Sequence, residues 1–322
     1  MKLSIVTTLY RSAPYLAEFH QRAASVARDL VADDYEIVLV NDGSPDESLA
    51  LAVELTQADP HVTVIDLSRN FGHHKAMMTG LAHAQGELVF LIDSDLEEEP
   101  EWLLYFAKQM TQDECDVVYG VQEQRKGGWV ERWSGHWFYV LFNALTGLQL
   151  PRSVVTARLM TRRYVNALLR HGERELMIAG LWLITGFSQK PQRIRKHSTS
   201  ETTYNFRRKL AVLINSVTSF SSAPLFFIFY LGMGISGVSS IYIAYLVVHY
   251  FMQTQAVSGW TSVMASIWFL GGLILSSLGV VAIYLSKVFT ETKQRPYTII
   301  REIYRRGVAA QHRGGENWPN PL

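Results

Sequence analysis

Short apolar runs alternate with amphipathic stretches through the first 121 residues. Each run ends close to turn-forming residues, a pattern that predicts buried strands. The predicted strands are Ser4–Thr8, Glu36–Val40, Val62–Leu67, Glu87–Ile92 and Asp116–Val121. Helical spacing marks Ala13–Leu30, His73–Ala84 and Pro100–Met110. Strands that alternate with helices predict an α/β fold with a mostly parallel sheet and helices on both faces.

A second pattern begins at Pro224, where the charged residues stop. From Pro224 to Ser286 the sequence contains no Lys, Arg, Asp or Glu. Residues 224–252 and 260–286 are each long enough to cross a hydrocarbon core of roughly 30 Å, which takes about 20 helical residues. Basic residues flank this region while the connection between its halves is uncharged. The pattern predicts a two-helix transmembrane hairpin with both ends in the cytoplasm; the alternative is a pair of core helices in a large soluble protein.

Two segments before the hairpin are candidates for amphipathic helices at the membrane surface. Trp129, Trp133 and Trp137 recur on one helical face, with basic residues beside them. This face fits an interfacial helix and an ordinary core helix equally well. The second segment, Tyr204–Phe220, begins with a basic cluster and continues with spaced apolar residues. Because it directly precedes the hairpin, an interfacial helix is the preferred interpretation there.

Composition restricts the possible partners. The net charge of the 322-residue chain is +1, so no overall field attracts nucleic acid and none is expected as a partner. Cys115 is the single cysteine, which excludes an internal disulfide and fits a reducing compartment. The N-terminus enters a predicted strand directly and lacks the pattern of a signal peptide.

Candidate chemistry is concentrated where predicted strands end. Asp93, Ser94 and Asp95 follow the fourth strand, with Glu97 close behind, and Asp42 and Arg69 follow two other strands. Ligands bind at the carboxyl ends of strands in open α/β sheets. A carboxylate pair at this edge can hold a hard divalent cation, which can in turn hold a diphosphate. The alternative is an exposed acidic turn in which Asp95 caps a helix.

Several segments together resemble the inverting family-2 glycosyltransferases of GT-A fold. The likeness is to their polyprenol-phosphate group, which includes bactoprenol glucosyltransferases and dolichol-phosphate mannosyltransferase. The segments that carry it, in chain order, are Val40–Asp46, Ser68–Gly72, Asp93–Glu101, Val118–Gly120, Arg158–Arg163, Thr203–Leu210 and Thr218–Leu225. The resemblance implies a GT-A domain with interfacial amphipathic helices and a C-terminal transmembrane hairpin.

The resemblance also implies roles for particular residues. The expected nucleotide-sugar contacts are Thr8, Tyr10, Asp42, Arg69, Asp93, Ser94 and Asp95. The expected Mg²⁺ or Mn²⁺ ligands are Asp93, Asp95 and Glu97. The expected acceptor contacts are Arg125, Arg132, Ser134, Arg158 and Tyr204. Catalysis is assigned to Asp93, Asp95 and Arg125.

The function implied by this group is transfer of a sugar to a polyprenyl phosphate. The donor would be a UDP-, GDP- or dTDP-linked sugar, and the acceptor undecaprenyl phosphate. The product would be a lipid-linked monosaccharide for cell-envelope glycans. The resemblance further implies a multi-pass protein of the bacterial inner membrane with its catalytic domain in the cytoplasm. Relatives form homo-oligomers, tetramers among them, so the same is expected here.

The expected organisation has four parts. Residues 1–200 form the cytoplasmic GT-A domain, and residues 201–222 form a juxtamembrane amphipathic helix. Residues 223–287 form the two transmembrane helices, and residues 288–322 form a cytoplasmic tail. In this tail, Arg301, Arg305 and Arg306 could lie on anionic lipid.

Three positions depart from the pattern of the group, and other functions stay open. Thr8–Ser12 replaces a usual Pro-x-Tyr-Asn-Glu, Gln122 stands in place of a common Arg, and Thr156 stands where an Asp is usual. One alternative is a transferase acting on a lipid-linked saccharide. A second is a processive polysaccharide synthase, although the Gln-x-x-Arg-Trp motif of those enzymes is missing. A third is a non-catalytic nucleotide-binding sensor.

Overall fold

The computed structural model describes residues 1–122, 140, 143, 145–146, 153–173, 178–195, 214, 217–218, 221–252, 259–306 and 308–311. Its strands are β1 Leu3–Leu9, β2 Tyr35–Asn41, β3 Val62–Leu67, β4 Leu88–Leu91, β5 Val117–Gln122, β6 Val154–Thr161, β7 Gln189–Ile194, β8 Ile300–Arg305 and β9 Val308–Gln311. Its described helices are α1 Ala13–Val31, α2 Ser48–Ala58, α3 His73–His83, α4 Trp102–Gln112, α5 Arg162–Leu169, α6 Ile178–Ile184, α7 Ala223–Met252 and α8 Trp260–Thr292.

The chain divides into two compact units. The first comprises Met1–His136, Gln149–Thr203 and Gln294–Leu322, and the second comprises Trp137–Leu148 and Tyr204–Lys293. The first unit contains the sheet and its helices, and the second contains α7 and α8. The chain therefore returns to the first unit after the apolar helices.

A mixed sheet forms the centre of the first unit, with strand order β7-β5-β6-β4-β1-β2-β3-β8-β9. The four central strands run parallel, because β1 pairs with β2 and β4, and β2 pairs with β3, all in parallel. On either side of these four, β6 pairs antiparallel with β4, and β8 pairs antiparallel with β3. The predicted α/β fold with a mostly parallel core is confirmed, and all five predicted strands are present.

Helices cover both faces of this sheet. On one face, Phe19 of α1 and Phe106 of α4 pack into a cluster with Phe90. On the other face, Met77 of α3 and Leu168 of α5 pack into a second cluster. Strands β1, β2 and β3 are buried along their whole length. This double burial explains why they appear in the sequence as continuous apolar runs rather than as alternating patterns.

Strand β8 was not predicted from the sequence. Ile300–Arg305 lies antiparallel to β3, with Thr63 opposite Arg305 and Asp66 opposite Glu302. The segment belongs to the same compact unit as the sheet. The charged residues of this segment are typical of a surface tail. A strand added at the edge of a sheet needs few apolar side chains of its own, so the sequence carries little sign of it.

The second unit is described mainly by its two long helices. Within the described residues, one segment, Phe269–Thr292, is long and apolar enough to cross a membrane, with a mean hydropathy of 2.0. Ala223–Ser239 is also apolar but shorter. Large apolar side chains such as Phe227 and Leu275 are exposed on these helices. Tyr284 Oη donates a hydrogen bond to the Ser221 carbonyl at 2.6 Å. The two-span hairpin and the four-part organisation stay predictions.

Candidate active site

The predicted site residues meet at the carboxyl edge of the central strands. Strand β1 lies between β2 and β4, so Thr8 and Tyr10 at its end lie between Asp42 and Asp93. The loop after β3 approaches the same place. A cavity of about 290 Å³ opens here. It is lined by Thr8, Tyr10, Asp42, Asn70, Gly72 and His73.

Asp42 shapes the wall of this cavity through the loop Ser68–Gly72. Asp42 is 2% exposed, and its carboxylate accepts hydrogen bonds from Phe71 N at 2.7 Å and Gly72 N at 3.0 Å. Burial raises the pKa of Asp42, and the two backbone donors oppose that shift. The carboxylate therefore fixes the loop backbone, while the nucleotide-sugar contact expected of Asp42 stays a prediction.

Arg69, within this loop, and Tyr10, at the end of β1, are both exposed. The Arg69 guanidinium lies 4.1 Å from the centre of the Phe71 ring and donates a hydrogen bond to the Asn70 carbonyl at 2.9 Å. The Tyr10 ring is 49% exposed. An exposed aromatic ring and an exposed guanidinium suit a nucleotide, because the ring can stack on a base and the cation can bind phosphate.

Asp93 is connected to β1 through His73. His73 Nδ1 lies 3.0 Å from Thr8 Oγ1, and His73 Nε2 lies 3.3 Å from Asp93 Oδ1. His73, in the first turn of α3, therefore contacts both the end of β1 and Asp93. His73 was not among the predicted site residues, although its position directly after the loop Ser68–Gly72 was the available signal.

Ser94 connects two parts of the backbone around the site. It is buried, and its hydroxyl lies 2.9 Å from both the Thr8 carbonyl and Ser12 Oγ. Ser12 Oγ in turn accepts a hydrogen bond from Tyr10 N at 3.1 Å. Ser94 therefore ties the acidic turn to the end of β1, and its side chain faces away from the solvent side of the turn.

The acidic turn contains the expected metal ligands. Asp95 is exposed and accepts a hydrogen bond from Glu97 N at 3.0 Å, while Asp93 is half-buried. Within the described residues, no group of three His, Cys, Asp or Glu side chains is arranged to hold a metal ion. The three-carboxylate set of Asp93, Asp95 and Glu97 is therefore not preassembled.

Glu98 also lies in the acidic turn and was not among the predicted site residues. It is fully buried, and its Oε1 accepts a hydrogen bond from Thr156 N at 3.0 Å. Arg158, predicted as an acceptor contact, is 1% exposed and donates to the Thr156 carbonyl at 3.2 Å. Burial lowers the pKa of Arg158, and the charge of Glu98 acts against this shift. Arg158 lies within the packed interior, under the Trp182 ring.

The other expected acceptor contacts lie outside the described residues. They are Arg125, Arg132, Ser134 and Tyr204. The structure thus brings together Thr8, Tyr10, Asp42, Arg69 and Asp93, with Asp95 on the same turn.

Comparisons with known proteins agree with the resemblance seen in the motifs. The model of the family described as "Glycosyl transferase family 2" matches residues 4–170. A Mycobacterium tuberculosis relative, named only as a glycosyltransferase, is 53% identical over 304 residues, which cover 94% of this chain and 89% of the relative. The prophage bactoprenol glucosyl transferase homolog of Escherichia coli is 30% identical over 307 residues, which cover 94% of this chain and 99% of the relative.

The comparison with solved structures also found a similar protein. The glucosyl-3-phosphoglycerate synthase of Mycobacterium tuberculosis, solved in complex with Mn²⁺, UDP and glucosyl-3-phosphoglycerate, is 16% identical. The similarity covers 68% of this chain and 80% of the synthase, with a TM-score of 0.49.

Proposed function

The chain belongs to glycosyl transferase family 2, and we propose that it transfers a sugar from a nucleotide sugar to a polyprenyl phosphate at a bacterial membrane. One observation carries this proposal. The similarity to the bactoprenol glucosyl transferase homolog covers 94% of this chain, whereas the family model ends at residue 170. The likeness therefore includes the apolar helices as well as the transferase domain.

The cavity at the strand ends supports the donor part of the proposal. Its walls combine an exposed aromatic ring with polar side chains. Such a surface suits a nucleoside diphosphate, which offers one flat base and several oxygen acceptors. UDP-, GDP- and dTDP-linked sugars all fit this description.

The acidic turn supports the use of Mg²⁺ or Mn²⁺. Mg²⁺ is usually held by one or two carboxylates, with substrate phosphates and water as its other ligands. Asp93 and Asp95 match that requirement, which explains why a preassembled group of three is not needed. When bound, such a cation would neutralise the charge that develops on the leaving diphosphate.

The proposed reaction is a single displacement with inversion at the anomeric carbon. A lipid phosphate oxygen is ionised near neutral pH and needs no strong base, so positioning supplies most of the catalysis. We assign the acceptor phosphate to Arg125, Arg132 and Ser134, with Tyr204 near the lipid. Guanidinium groups suit this role because they offer a planar fork of donors.

The apolar unit would attach the enzyme to the bilayer in which its acceptor resides. We propose two transmembrane helices within residues 223–287, with the transferase domain and residues 288–322 in the cytoplasm of a bacterial cell. Residues 201–222 would form the juxtamembrane helix, and the enzyme would form homo-oligomers. The basic flanks and uncharged connection support this topology.

A donor screen tests the proposal. Purified full-length protein, Mn²⁺ or Mg²⁺ and undecaprenyl phosphate are incubated with each nucleotide sugar, and glycosyl-lipid is detected by mass spectrometry. We expect product with one donor and none after EDTA. The Asp95→Ala variant should lose product, whereas Asp29→Ala, which removes an exposed carboxylate of α1, should keep it. Nucleotide-sugar binding without product from any donor would instead favour a lipid-linked saccharide acceptor.

A further inference from the structure

The buried carboxylate of Asp66 connects β8 to the strand end that carries Asp42. Asp66 of β3 is 1% exposed. Its Oδ1 accepts a hydrogen bond from Asn41 Nδ2 at 2.7 Å, and its Oδ2 accepts one from Arg301 Nη1 at 3.2 Å. Asn41 directly precedes Asp42, and Arg301 comes from β8. Residues from three strands therefore meet at one carboxylate.

The same arginine also holds the start of the loop Ser68–Gly72. Arg301 Nη2 donates a hydrogen bond to the Ser68 carbonyl at 2.7 Å. Ser68 N donates to the Ile299 carbonyl at 2.9 Å. Both backbone groups of Ser68 are thus bound by the segment that follows the apolar helices. The far end of the loop is bound by Asp42, through the N–H groups of Phe71 and Gly72.

The charge of Arg301 matters because Asp66 is buried. A buried carboxylate is costly unless a cation or several donors compensate it. Arg301 supplies this charge while about half of its own side chain, 53%, stays exposed to water. A planar guanidinium can bond Asp66 and Ser68 at once, which a Lys ammonium does less well.

We propose that Arg301 is a positioning residue of the nucleotide site, which fixes the loop Ser68–Gly72 and thereby sets the affinity for the nucleoside diphosphate. This inference rests on the proposed function for its ligand. It gives the segment after the membrane helices a direct part in donor binding, because Asn70 and Gly72 of this loop line the cavity. The role expected from the sequence, a contact of Arg301 with anionic lipid, does not account for these bonds.

The test uses full-length protein in detergent with three variants. Arg301→Met removes both bonds, and Arg301→Lys keeps the charge with a single donor group. Arg193→Met is the matched control, because it removes an exposed arginine from β7 at the opposite side of the sheet. Hydrogen exchange of residues 68–72 is measured by mass spectrometry, with β1 as internal reference. Binding of UDP, GDP and dTDP with Mn²⁺ is measured by calorimetry.

For Arg301→Met we expect about tenfold faster exchange in residues 68–72 and about tenfold weaker nucleotide binding, as for the loss of a charged hydrogen bond. Arg301→Lys should be intermediate, and Arg193→Met unchanged. In turnover assays the donor KM should rise while the acceptor KM stays constant.

Unchanged exchange and unchanged nucleotide affinity in Arg301→Met would overturn the inference, even if the melting temperature falls. A fall in melting temperature alone would mean that Arg301 only stabilises the sheet. If the wild-type protein binds none of the three nucleotides, the proposed function fails. The exchange measurement then still decides whether Arg301 fixes the loop.

Discussion

Glu98 and Thr156 are joined by a hydrogen bond of 3.0 Å between the Glu98 carboxylate and the Thr156 backbone N–H. The Thr156 carbonyl accepts a second bond from the buried Arg158 guanidinium. The acidic turn that begins at Asp93 is therefore attached at its far end to β6. Thr156 stands where the related enzymes usually have an Asp. The backbone of Thr156 is held by two buried side chains, the carboxylate of Glu98 and the guanidinium of Arg158.

Replacing Glu98 by Gln tests this attachment. The amide would remove the negative charge of Glu98 that favours the charged form of the buried Arg158 guanidinium, and a buried charge without compensation is costly. We expect a clearly lower unfolding midpoint and loss of most transfer activity. Thermal unfolding followed by intrinsic fluorescence measures the first effect. Glu54→Gln, an exposed change on α2, is the control, and equal midpoints for both variants would contradict the prediction.

His73 should affect metal use through its contact with Asp93. Removing a side chain that orients a metal ligand typically costs about 10–100-fold in metal affinity or activity. We therefore expect His73→Ala to need at least about tenfold more Mn²⁺ for half-maximal transfer. His74→Ala, which changes the next residue of the same helix, should need the same Mn²⁺ as wild type. Identical Mn²⁺ requirements for His73→Ala and wild type would refute this role.

Gly43 permits the loop that follows β2 to approach the loop Ser68–Gly72 closely. Its φ is +59°, and a Cβ there would lie 2.5 Å from Asn70 N and 2.7 Å from the Arg69 carbonyl carbon. Both neighbours are backbone atoms, so they cannot move without distorting the loop Ser68–Gly72. We expect Gly43→Ala to destabilise the protein by roughly 2 kcal/mol or more and to weaken nucleotide binding.

The control for Gly43 is Gly172, which has open space around it. Gly172→Ala should change stability by no more than about 0.5 kcal/mol. Chemical denaturation in detergent compares the two variants. A Gly43→Ala protein as stable as Gly172→Ala would show that the two loops can separate at little cost.

Asp46 should make stability depend on pH at the acid end. Burial disfavours its charge, but hydrogen bonds from Ser44, Ser48 and Ala13 N outweigh that effect and lower the pKa of Asp46 to about 2. An Asp in an unfolded chain has a pKa of about 3.9. Because the folded pKa is depressed, the stabilisation is complete above the unfolded pKa and is lost as the pH falls towards 2.

The measurement compares the wild-type protein with Asp46→Asn. At pH 7 the variant should have the lower unfolding midpoint, since an amide cannot accept the same set of bonds. The difference between the two proteins should stay constant down to about pH 5 and shrink below about pH 4. A difference that is independent of pH between 7 and 3 would contradict the assignment.

Much of the fold could be predicted because its signals are local. The central strands are continuous apolar runs that end in polar turns, so strand pattern and turn residues suffice to place Asp42, Asp93 and Asp95 at one edge of a sheet. The apolar helices could also be predicted, because the sequence contains no Lys, Arg, Asp or Glu from Pro224 to Ser286. The family resemblance was confirmed by the comparisons.

Other features depend on contacts between distant segments. His73 reaches Asp93 only because α3 begins at the cavity, and Arg158 is buried only because β6 pairs with β4. Local pattern gives no sign of either contact. The sequence alone therefore determined which strand ends carry the candidate chemistry, because strand periodicity and turn residues are encoded over a few neighbouring positions. Only the tertiary structure decided that Arg301 binds the loop Ser68–Gly72, because 233 residues separate it from Ser68 and strand pairing alone brings them together.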